Sequence, residues 1–478
     1  MPAALARKLR LHDYFALALG TIIGTGWLVL MDDWLGRGGP LGAALAFAIG
    51  GVILLPVGFV YGQWVKRLPD AAGEAAYTAQ VFPSIVSYFT GWMMLLAYFI
   101  VCPWEAVAIG KIAAYIFPSL DRFVLYRVAG QPVFLPRLIL GVALTLLLAT
   151  INYRGIRLSA NFQKAMTSMV LVIFVILVAI SGFRGTTANL HPLFHHAPFL
   201  SILLTLQIVP YFLTGFESVP KYAEEANPDF PQASYMQAIG LALGVAALFY
   251  ALCILAVGYI APWQSLLGKR FATAVAFEHG IGHHWIVRLI LVMSLFGLFQ
   301  CFNGNFAAST RLLFAYARRR TVSPRFATIH EKYSTPSAAV IAITVGTLIA
   351  LLLGDSILVP ITEVGSMASA LGWLAACASF WLVESRSPFA HPQPETALTP
   401  NSTHDSVQPK PFASRRTRRI LTLAITAVGV LVSLLLLLMK LIPAFPGHFS
   451  HSEWIALAIW LLIGGLLHRR PNTAHLSM

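Results

Sequence analysis

Long apolar runs, separated by short polar breaks, recur along the whole chain of 478 residues. A helix needs about 20 mostly apolar residues to cross a bilayer, and this rule selects twelve runs, called segments 1 to 12. They fall at 14–35, 41–65, 84–117, 134–151, 163–183, 201–220, 234–260, 286–317, 336–354, 358–383, 419–441 and 452–468. The pattern predicts an all-α membrane protein with twelve transmembrane helices.

Composition agrees with a lipid environment, because 58% of the residues are hydrophobic and only 11% are charged. A soluble domain usually carries about 25% charged residues. The net charge of +14 is spread between apolar runs, which disfavours nucleic-acid binding. When the Lys and Arg residues of the loops and termini are assigned to the two sides of the membrane, 22 fall on the side of the two termini and nine on the opposite side. The positive-inside rule then predicts that both termini are cytoplasmic and that the helix number is even.

The longest non-apolar stretch, 385–418, is rich in Pro, Ser and Thr and ends in a cluster of arginines. It predicts a flexible cytoplasmic linker between a transport core at 1–384 and a unit at 419–478 that holds segments 11 and 12 and a cytoplasmic tail. The first apolar run shows no signal-peptide cleavage site. Together with the short loops, this is typical of a bacterial inner-membrane protein.

Metal and redox chemistry receive little support from the sequence. The histidines at 191–196 and 279–284 fall in outward loops, and two such short clusters favour incidental histidines over a metal site. The four cysteines lie in apolar segments without CxxC spacing. We expect no metal, no cofactor and no enzyme active site.

Two apolar segments are interrupted in their middle, with the letters GTIIGTGW at 20–27 and YFLTGFES at 211–218, just before Pro220. Close packing of Gly20 and Gly24 against another helix is one explanation. Non-helical backbone at membrane depth is tolerated only where it is buried in protein or lines a cavity. Breaks in the first and sixth segments therefore predict two five-helix halves of inverted topology with a site between them.

An unwound turn frees backbone groups for a ligand. The N–H groups of Thr25 and Gly26, at the positive end of a half-helix, suit a carboxylate. Freed carbonyl oxygens near Ile22, Ile23 and Tyr211 suit an ammonium group. One amphoteric ligand satisfies both sets, and an α-amino acid is the simplest such ligand.

Ionisable residues inside membrane segments cost about 3 kcal/mol or more on insertion scales, so each is a functional candidate. The candidates are Glu105, Lys111, Glu217 and Glu363. Glu217 follows the break in segment 6 and is expected to carry a proton, contact substrate or control a gate. Glu105 is expected to face the cavity and Lys111 either to snorkel to the membrane surface or to pair elsewhere, while structural and functional roles for Glu363 both stay open.

Charges also flank the predicted cytoplasmic loops. Asp70 and Glu74 follow segment 2, and three arginines at 318–320 close segment 8. They either form ion pairs that hold one conformation or belong to solvated loops.

Three stretches of the chain resemble the amino acid–polyamine–organocation superfamily. They are GTG at 24–26, GFE at 215–217 followed by AEEANP at 223–228 and Pro231, and STR at 309–311 followed by AR at 317–318, Pro324, His330 and Pro336. Together with the twelve segments they span nearly the whole chain. The resemblance implies an inverted five-helix repeat with discontinuous helices 1 and 6, to which two C-terminal helices are appended.

The resemblance also implies roles for individual residues. Thr25 and Gly26 receive the substrate carboxylate, and carbonyl oxygens around Ile22, Ile23 and Tyr211 receive the amino group. Tyr211 further matches an aromatic lid over the substrate.

Four further positions follow from the same resemblance. Gly215 belongs to the broken substrate-binding turn, and Glu217 matches a glutamate that acts in gating or protonation. Glu105 and Asn305 match positions that line the side-chain pocket.

The coupling ion stays open. Members that work without sodium often carry a lysine inside the fifth helix, whereas the local match places Val170 there and Lys164 lies at the cytoplasmic mouth. Ser309 and Thr310 are candidate sodium ligands, and Glu217 is the leading candidate for a proton carrier.

These observations predict a secondary active transporter that moves amino acids by alternating access, through proton symport or exchange. Segments 1, 2, 6 and 7 are expected to rock against segments 3, 4, 5, 8, 9 and 10, with lipid and a small molecule as partners. One alternative is a carrier of polyamines or other organic cations, which Glu105 in the pocket would favour. Another is a transport-inactive sensor on the same scaffold. The particular amino acid and the oligomeric state stay open.

Overall fold

The structure is a computed structural model that describes residues 5–386, 412–445 and 448–469. Residues 387–411 of the predicted linker at 385–418 lie outside the described residues, as does nearly all of the predicted C-terminal tail, and residues 412–418 of the linker are helical. The division into a core and a C-terminal unit therefore stays a prediction.

The described chain is mostly helical. Its α-helices are α1 Leu11–Ile22, α2 Gly26–Val29, α3 Met31–Arg67, α4 Glu74–Thr78, α5 Ser84–Phe99, α6 Val101–Ile116, α7 Leu135–Arg154, α8 Ile156–Arg184, α9 Pro198–Leu206, α10 Val209–Leu213, α11 Ser234–Ile260, α12 Ala272–Ile281, α13 Trp285–Arg318, α14 Ser337–Leu351, α15 Leu358–Arg386, α16 Phe412–Leu441 and α17 His451–Leu467. Short 3-10 helices are Pro118–Asp121, Thr187–Leu190, Phe216–Glu225, Trp263–Leu266, Pro324–Ala327 and Gly354–Ile357. Strands β1 Val124–Val128 and β2 Gln131–Phe134 form an antiparallel hairpin between α6 and α7.

Eight of the described helices are long and apolar enough to cross a membrane. A ninth span is a bent pair, Pro198–Leu206 and Val209–Glu225, whose parts meet at 53°. Helices α14 and α17 are apolar but shorter. An all-helical membrane architecture is confirmed, whereas the count of twelve and the inverted repeat stay predictions.

Segment 1 is interrupted where the sequence predicted. Helix α1 ends at Ile22, residues 23–25 are not helical, and α2 begins at Gly26. Segments 1 and 2 then run together in α3 and are separated by a kink at Gly39, whose φ is 65°. That φ favours glycine, and a Cβ there would lie 2.8 Å from the backbone nitrogen of His195. The kink therefore replaces the loop that the hydropathy pattern suggested.

Segment 6 has two breaks rather than the single one predicted at 211–218. The chain bends between α9 and α10, next to Pro210, which lacks the N–H needed to continue the first helix. The second break lies at Thr214 and Gly215, before the 3-10 helix Phe216–Glu225. Gly215 has a φ of 136°, and a Cβ on it would lie 2.9 Å from the backbone nitrogen of Ile22. The broken turns of segments 1 and 6 are thus in direct contact.

Both described ends of the chain contact the same end of the bundle, called the terminal face. The backbone N–H of Lys8 donates to the Glu225 carbonyl at 2.9 Å, and that of Arg469 donates to the Thr321 carbonyl at 2.9 Å. Leu9 and Ala226 also form a parallel bridge. The N-terminal segment therefore closes over the end of segment 6.

Ion pairs join helices across the terminal face. Arg318 pairs with Glu224, and Arg319 lies 2.6 Å from the Asp70 carboxylate. Of the two possibilities left open for these loop charges, the structure has the paired arrangement for Asp70.

Two further pairs are completely buried beneath the terminal face. Lys221 Nζ lies 2.5 Å from Glu74 Oε2, and Arg311 Nε lies 3.0 Å from Glu225 Oε2, with no side-chain exposure in either pair. Tyr61 Oη also donates to Glu74 at 2.7 Å. The possibility that Glu74 lies in a solvated loop is therefore wrong, because its carboxylate is enclosed by helices.

Replacing Lys221 with methionine should destabilise the fold by about 3–5 kcal/mol, because it leaves the Glu74 carboxylate buried without a counter-ion. We expect Lys221→Met to have a lower midpoint of thermal unfolding in detergent than the wild type. The double variant Lys221→Met/Glu74→Gln should recover most of this decrease in the midpoint. The matched control is Arg37→Met, whose partner Asp33 is 41% exposed, and which should cost less than about 1 kcal/mol. Equal midpoints for Lys221→Met and Arg37→Met would contradict the expectation.

Candidate functional site

A cavity lies where the broken turn of segment 1 meets α5, α6, α10, α11, α13 and α15. Its lining comprises Thr21, Ile22, Gly24, Thr25, Gly26, Ala97, Val101, Trp104, Glu105, Tyr211, Phe212, Thr214, Tyr250, Cys301, Asn305, Gly365 and Ser369. The space open to the centre of a water-sized sphere is about 30 Å³, and one water needs roughly 10–15 Å³. The cavity therefore suits a compact ligand.

Six of the residues predicted to bind substrate line this cavity. They are Ile22, Thr25, Gly26, Glu105, Tyr211 and Asn305. Ile23, Gly215 and Glu217 do not belong to the lining. Residues more than 280 positions apart in the chain thus meet at one site.

Glu105 is buried, and its carboxylate lies against the broken turn of segment 1. Thr25 Oγ1 donates to Glu105 Oε2 at 3.2 Å. Gly24 permits the approach, because a Cβ there would collide with Glu105 Oε1. The position predicted for the substrate carboxylate therefore holds the protein's own carboxylate in this structure.

The carbonyl groups freed by the same broken turn already have donors. Tyr250 Oη, Gln300 Nε2 and Asn305 Nδ2 donate to the carbonyl oxygens of residues 22, 23 and 21, at 3.0, 2.7 and 3.2 Å. Gln300 Nε2 thus already donates to the Ile23 carbonyl and Ile23 does not line the cavity, so its role as an acceptor for a substrate amino group stays a prediction.

Asn305 offers an acceptor to the cavity. Its Nδ2 donates to two carbonyl oxygens, those of Cys301 at 2.9 Å and Thr21 at 3.2 Å, so the amide orientation is fixed by chemistry. Its Oδ1 is buried and has no partner among the described residues. A buried oxygen of this kind is costly unless a donor reaches it, and an ammonium group in the cavity would supply one.

Gln300 is held by a chain of buried amides and hydroxyls. Thr167 Oγ1 donates to Gln300 Oε1 at 2.8 Å, and Gln163 Nε2 donates to the Gln300 carbonyl at 3.0 Å. Asn303 Nδ2 donates to Gln163 Oε1 at 2.6 Å. These neutral residues connect the broken turn to α8 and α13. A search for ionisable residues misses them, although a glutamine within an apolar run is itself a signal.

Glu217 lies beside the broken turn of segment 6, outside the cavity. Its Oε2 accepts from the Gly215 N–H at 3.0 Å, and its Oε1 is buried without a partner among the described residues. The neighbouring Phe216 ring stacks on Trp373 at 5.5 Å. This geometry suits a role in gating or proton transfer better than direct contact with substrate.

The candidate sodium ligands are otherwise engaged. Ser309 Oγ donates to the Asn305 carbonyl and Thr310 Oγ1 to the Ala307 carbonyl, both at 2.8 Å within α13. Arg311 Nη1 also donates to Thr310 Oγ1 at 3.0 Å. A guanidinium at this distance opposes a second cation, so the geometry gives the sodium hypothesis no support.

The other ionisable candidates form ion pairs. Lys111 lies 3.7 Å from the Asp355 carboxylate, as expected of a residue that pairs elsewhere, and Glu363 pairs with Lys440. Among the described residues, no group of three or more His, Cys, Asp or Glu side chains could hold a metal ion.

The sequence profile of amino acid permeases matches residues 9–466. The chain belongs to the amino acid permease family. This permease is 25% identical over 352 residues to the aspartate-proton symporter of Bacillus subtilis, a match that covers 70% of this chain and 64% of that one. It is 23% identical over 391 residues to the branched-chain amino acid permease BcaP of the same organism, with 78% and 79% covered.

A plant protein is similar over a longer stretch. The vacuolar cationic amino acid transporter 4 of Arabidopsis thaliana is 24% identical over 420 residues, which cover 85% of this permease and 68% of the relative. The relatives are permeases, transporters and symporters, not enzymes, and the resemblance inferred from the motifs is confirmed.

Gly26→Val should lower the initial rate of uptake at least about tenfold, because a Cβ at Gly26 would lie 2.6 Å from Phe212 Cε1 and close the cavity. Gly182→Val is the matched control, since Gly182 is exposed on α8 and a Cβ there meets nothing within 4 Å. Normal uptake by Gly26→Val, at equal amounts of inserted protein, would refute the location of the site.

Gln300→Glu should give the permease a new acid dependence. A carboxylate cannot donate to the Ile23 carbonyl, whereas the protonated acid can, so uptake relative to wild type should rise as the pH falls from about 8 to about 5. Gln300→Leu should be impaired equally at every pH. If the two variants show the same flat ratio to wild type, Gln300 acts through packing alone.

Proposed function

We propose that this permease is a secondary active transporter that carries an α-amino acid across the membrane by alternating access. The observation that carries this proposal is the cavity between two broken helices. The carboxylate of Glu105 is bound at Thr25 there, and Asn305 Oδ1 is a buried acceptor without a partner among the described residues. One ligand with both an anionic and a cationic end would satisfy both positions.

The bound substrate lies between the broken turns. Its carboxylate takes the place of the Glu105 carboxylate at the Thr25 hydroxyl and the backbone of Gly26. Its ammonium group faces Asn305 Oδ1 and the carbonyl side of Ile22, whose oxygen can accept a second hydrogen bond beside that from Tyr250. The released Glu105 carboxylate stays next to the ammonium group and offsets its charge.

Alternating access requires the terminal face to open. Two pairs across it, Arg318 with Glu224 and Arg319 with Asp70, join the end of segment 8 to the chain after segment 6 and to the loop after segment 2. This distribution supports movement of segments 1, 2, 6 and 7 against the remaining core, because such movement would part these pairs. Substrate that bridges the broken turns stabilises the closed state that precedes the movement.

The topology that fits this mechanism has twelve helices, an inverted five-helix repeat and both termini in the cytoplasm of a bacterial inner membrane. The shared terminal face of Lys8 and Arg469 supports an even helix number. The several arginines at the terminal face support its location on the cytoplasmic side of the membrane.

Energy coupling by protons, or exchange without an ion, fits the site better than sodium. Glu217 has one buried carboxylate oxygen without a partner in the described part of the chain, beside the break in segment 6, whereas the hydroxyls of Ser309 and Thr310 donate to carbonyl groups of their own helix. Glu217 is thus the proposed proton carrier and gate.

A carrier of organic amines is the second candidate. This second candidate also rests on Glu105. The Glu105 carboxylate fills the anion position at Thr25, and a ligand without a carboxylate would not displace Glu105 from that position. An amine would then bind between Glu105 and Asn305 Oδ1.

Uptake of labelled amino acids and amines into proteoliposomes tests the function. We expect a labelled amino acid to accumulate when a pH gradient is imposed or when unlabelled substrate is present inside the proteoliposomes. An imposed sodium gradient should leave this accumulation unchanged. Uptake of amines alone would favour the second candidate. Folded, inserted protein that moves neither class of compound would leave the sensor as the remaining interpretation.

Glu217→Gln separates coupling from binding. An amide cannot release a proton, so gradient-driven accumulation should fall at least about tenfold, while exchange against internal substrate is retained if Glu217 serves only coupling. Loss of both gradient-driven accumulation and exchange would indicate that Glu217 acts in the gate. Glu331→Gln, an exposed carboxylate on the chain, is the control, and wild-type accumulation by Glu217→Gln would exclude Glu217 from transport.

A further inference from the structure

The cavity carries one charge without a counter-ion. Glu105 is the one charged residue among the described residues that line it, and this lining includes no lysine, arginine or histidine. Asn305 Oδ1 adds a buried oxygen to which no described residue donates. The lining thus offers acceptors for a positive charge and no basic partner for a negative one.

The other titratable groups around Glu105 cannot supply a positive charge. The thiols of Cys102 and Cys301 and the hydroxyls of Tyr211 and Tyr250 interact electrostatically with its carboxylate. Thiols and phenols are neutral when protonated and negative when ionised. Within the described chain, the lining from α5, from α15 and from the broken turn of segment 1 has no titratable side chain.

Basic residues buried elsewhere in the membrane segments are already neutralised. Lys111 is six residues beyond Glu105, about 9 Å along a helix axis, and lies 3.7 Å from the Asp355 carboxylate. Lys221 and Arg311 are fully buried in pairs with carboxylates below the terminal face. None of these three can pair with Glu105 without leaving its own partner.

Binding of an α-amino acid in the proposed position makes the charge of Glu105 more costly. The substrate carboxylate takes the Thr25 hydroxyl, which in this structure donates to Glu105 at 3.2 Å. A zwitterion brings equal positive and negative charge, so the closed cavity would keep the negative charge of Glu105. A buried charge without a counter-ion is expensive, and such a group either meets an opposite charge or becomes neutral.

From these observations, and resting on the transport function proposed above, we infer that the closed cavity takes up a single net positive charge with each substrate. A diamino acid supplies this charge itself, because its second ammonium group pairs with the Glu105 carboxylate. A zwitterionic amino acid is accompanied by one proton from the water, which converts that carboxylate to the neutral acid and leaves it again on the other side. Glu105 is thus the residue that determines specificity for charge.

The same rule disfavours acidic amino acids, because their second carboxylate would need a further cation beside that for Glu105. Glu217 does not belong to the lining, so a proton on Glu217 leaves the charge of the cavity unchanged.

Initial rates of uptake into proteoliposomes, at low substrate concentration and equal pH on both sides, test the charge requirement. The probes are α,γ-diaminobutyrate and norvaline, whose side chains are of equal length and differ by one positive charge. At a pH of about 7 the wild type should take up diaminobutyrate at least about tenfold faster. The ratio of the two rates should fall as the pH falls to about 5, because a proton then replaces the second ammonium group.

Glu105→Gln removes the charge and retains an oxygen that can accept from Thr25. The ratio of diaminobutyrate to norvaline uptake should fall at least about tenfold at a pH of about 7 and should no longer depend on pH. Glu331→Gln, at an exposed residue, is the matched control and should keep the wild-type ratio. A preference for diaminobutyrate that survives in Glu105→Gln would overturn the inference.

The wild type alone also gives a decisive result if Glu105→Gln is inserted but inactive. Equal rates for the two probes at a pH of about 7, a ratio that does not change with pH, or entry of alanine without diaminobutyrate would each overturn the charge requirement. Failure of every labelled amino acid and amine to enter the wild-type proteoliposomes would instead overturn the transport function itself.

Discussion

Backbone carbonyl groups at membrane depth need hydrogen-bond donors, and the broken turn between α1 and α2 obtains them from three side chains of other helices. Tyr250, Gln300 and Asn305 each donate to one carbonyl of residues 21–23. In lipid an unsatisfied group of this kind costs several kcal/mol. The cavity exists because α11 and α13 supply these donors while leaving the other side of the turn open to a ligand.

The same turn also explains why a glutamate can be buried beside it. Glu105 is 2% exposed, and the Thr25 hydroxyl donates to its carboxylate. The Glu105 carboxylate occupies the position proposed for the substrate carboxylate. In that proposal, binding and release of substrate exchange one of these carboxylates for the other. A zwitterion adds no net charge, so the net buried charge stays that of Glu105, and the ammonium group beside Glu105 lowers the cost of burying the ligand carboxylate in a low dielectric.

Buried charge is distributed unevenly between the site and the terminal face. Below that face, each buried acid such as Glu74 or Glu225 has its own basic partner, so no net charge is left to attract ligand. In the cavity, Glu105 has no basic partner among the lining residues. At the terminal face, opposite charges are paired and hold helices together. In the cavity, the charge of Glu105 is left unpaired by the lining and can attract a cationic group.

The sequence by itself determined the membrane class, the family, the break in segment 1 and six of the residues that line the cavity. These features depend on local composition: the length of an apolar run, glycine at 24 and 26, or a glutamate within such a run. The tertiary structure alone decided that Gln300 takes the Ile23 carbonyl, that Glu74 is buried with Lys221, and that Asn305 presents its oxygen. Each of these depends on a partner remote in the chain, 277 residues away for Gln300 and Ile23. Hydropathy places a residue at a depth in the bilayer, but the packing of helices decides which donor meets which acceptor.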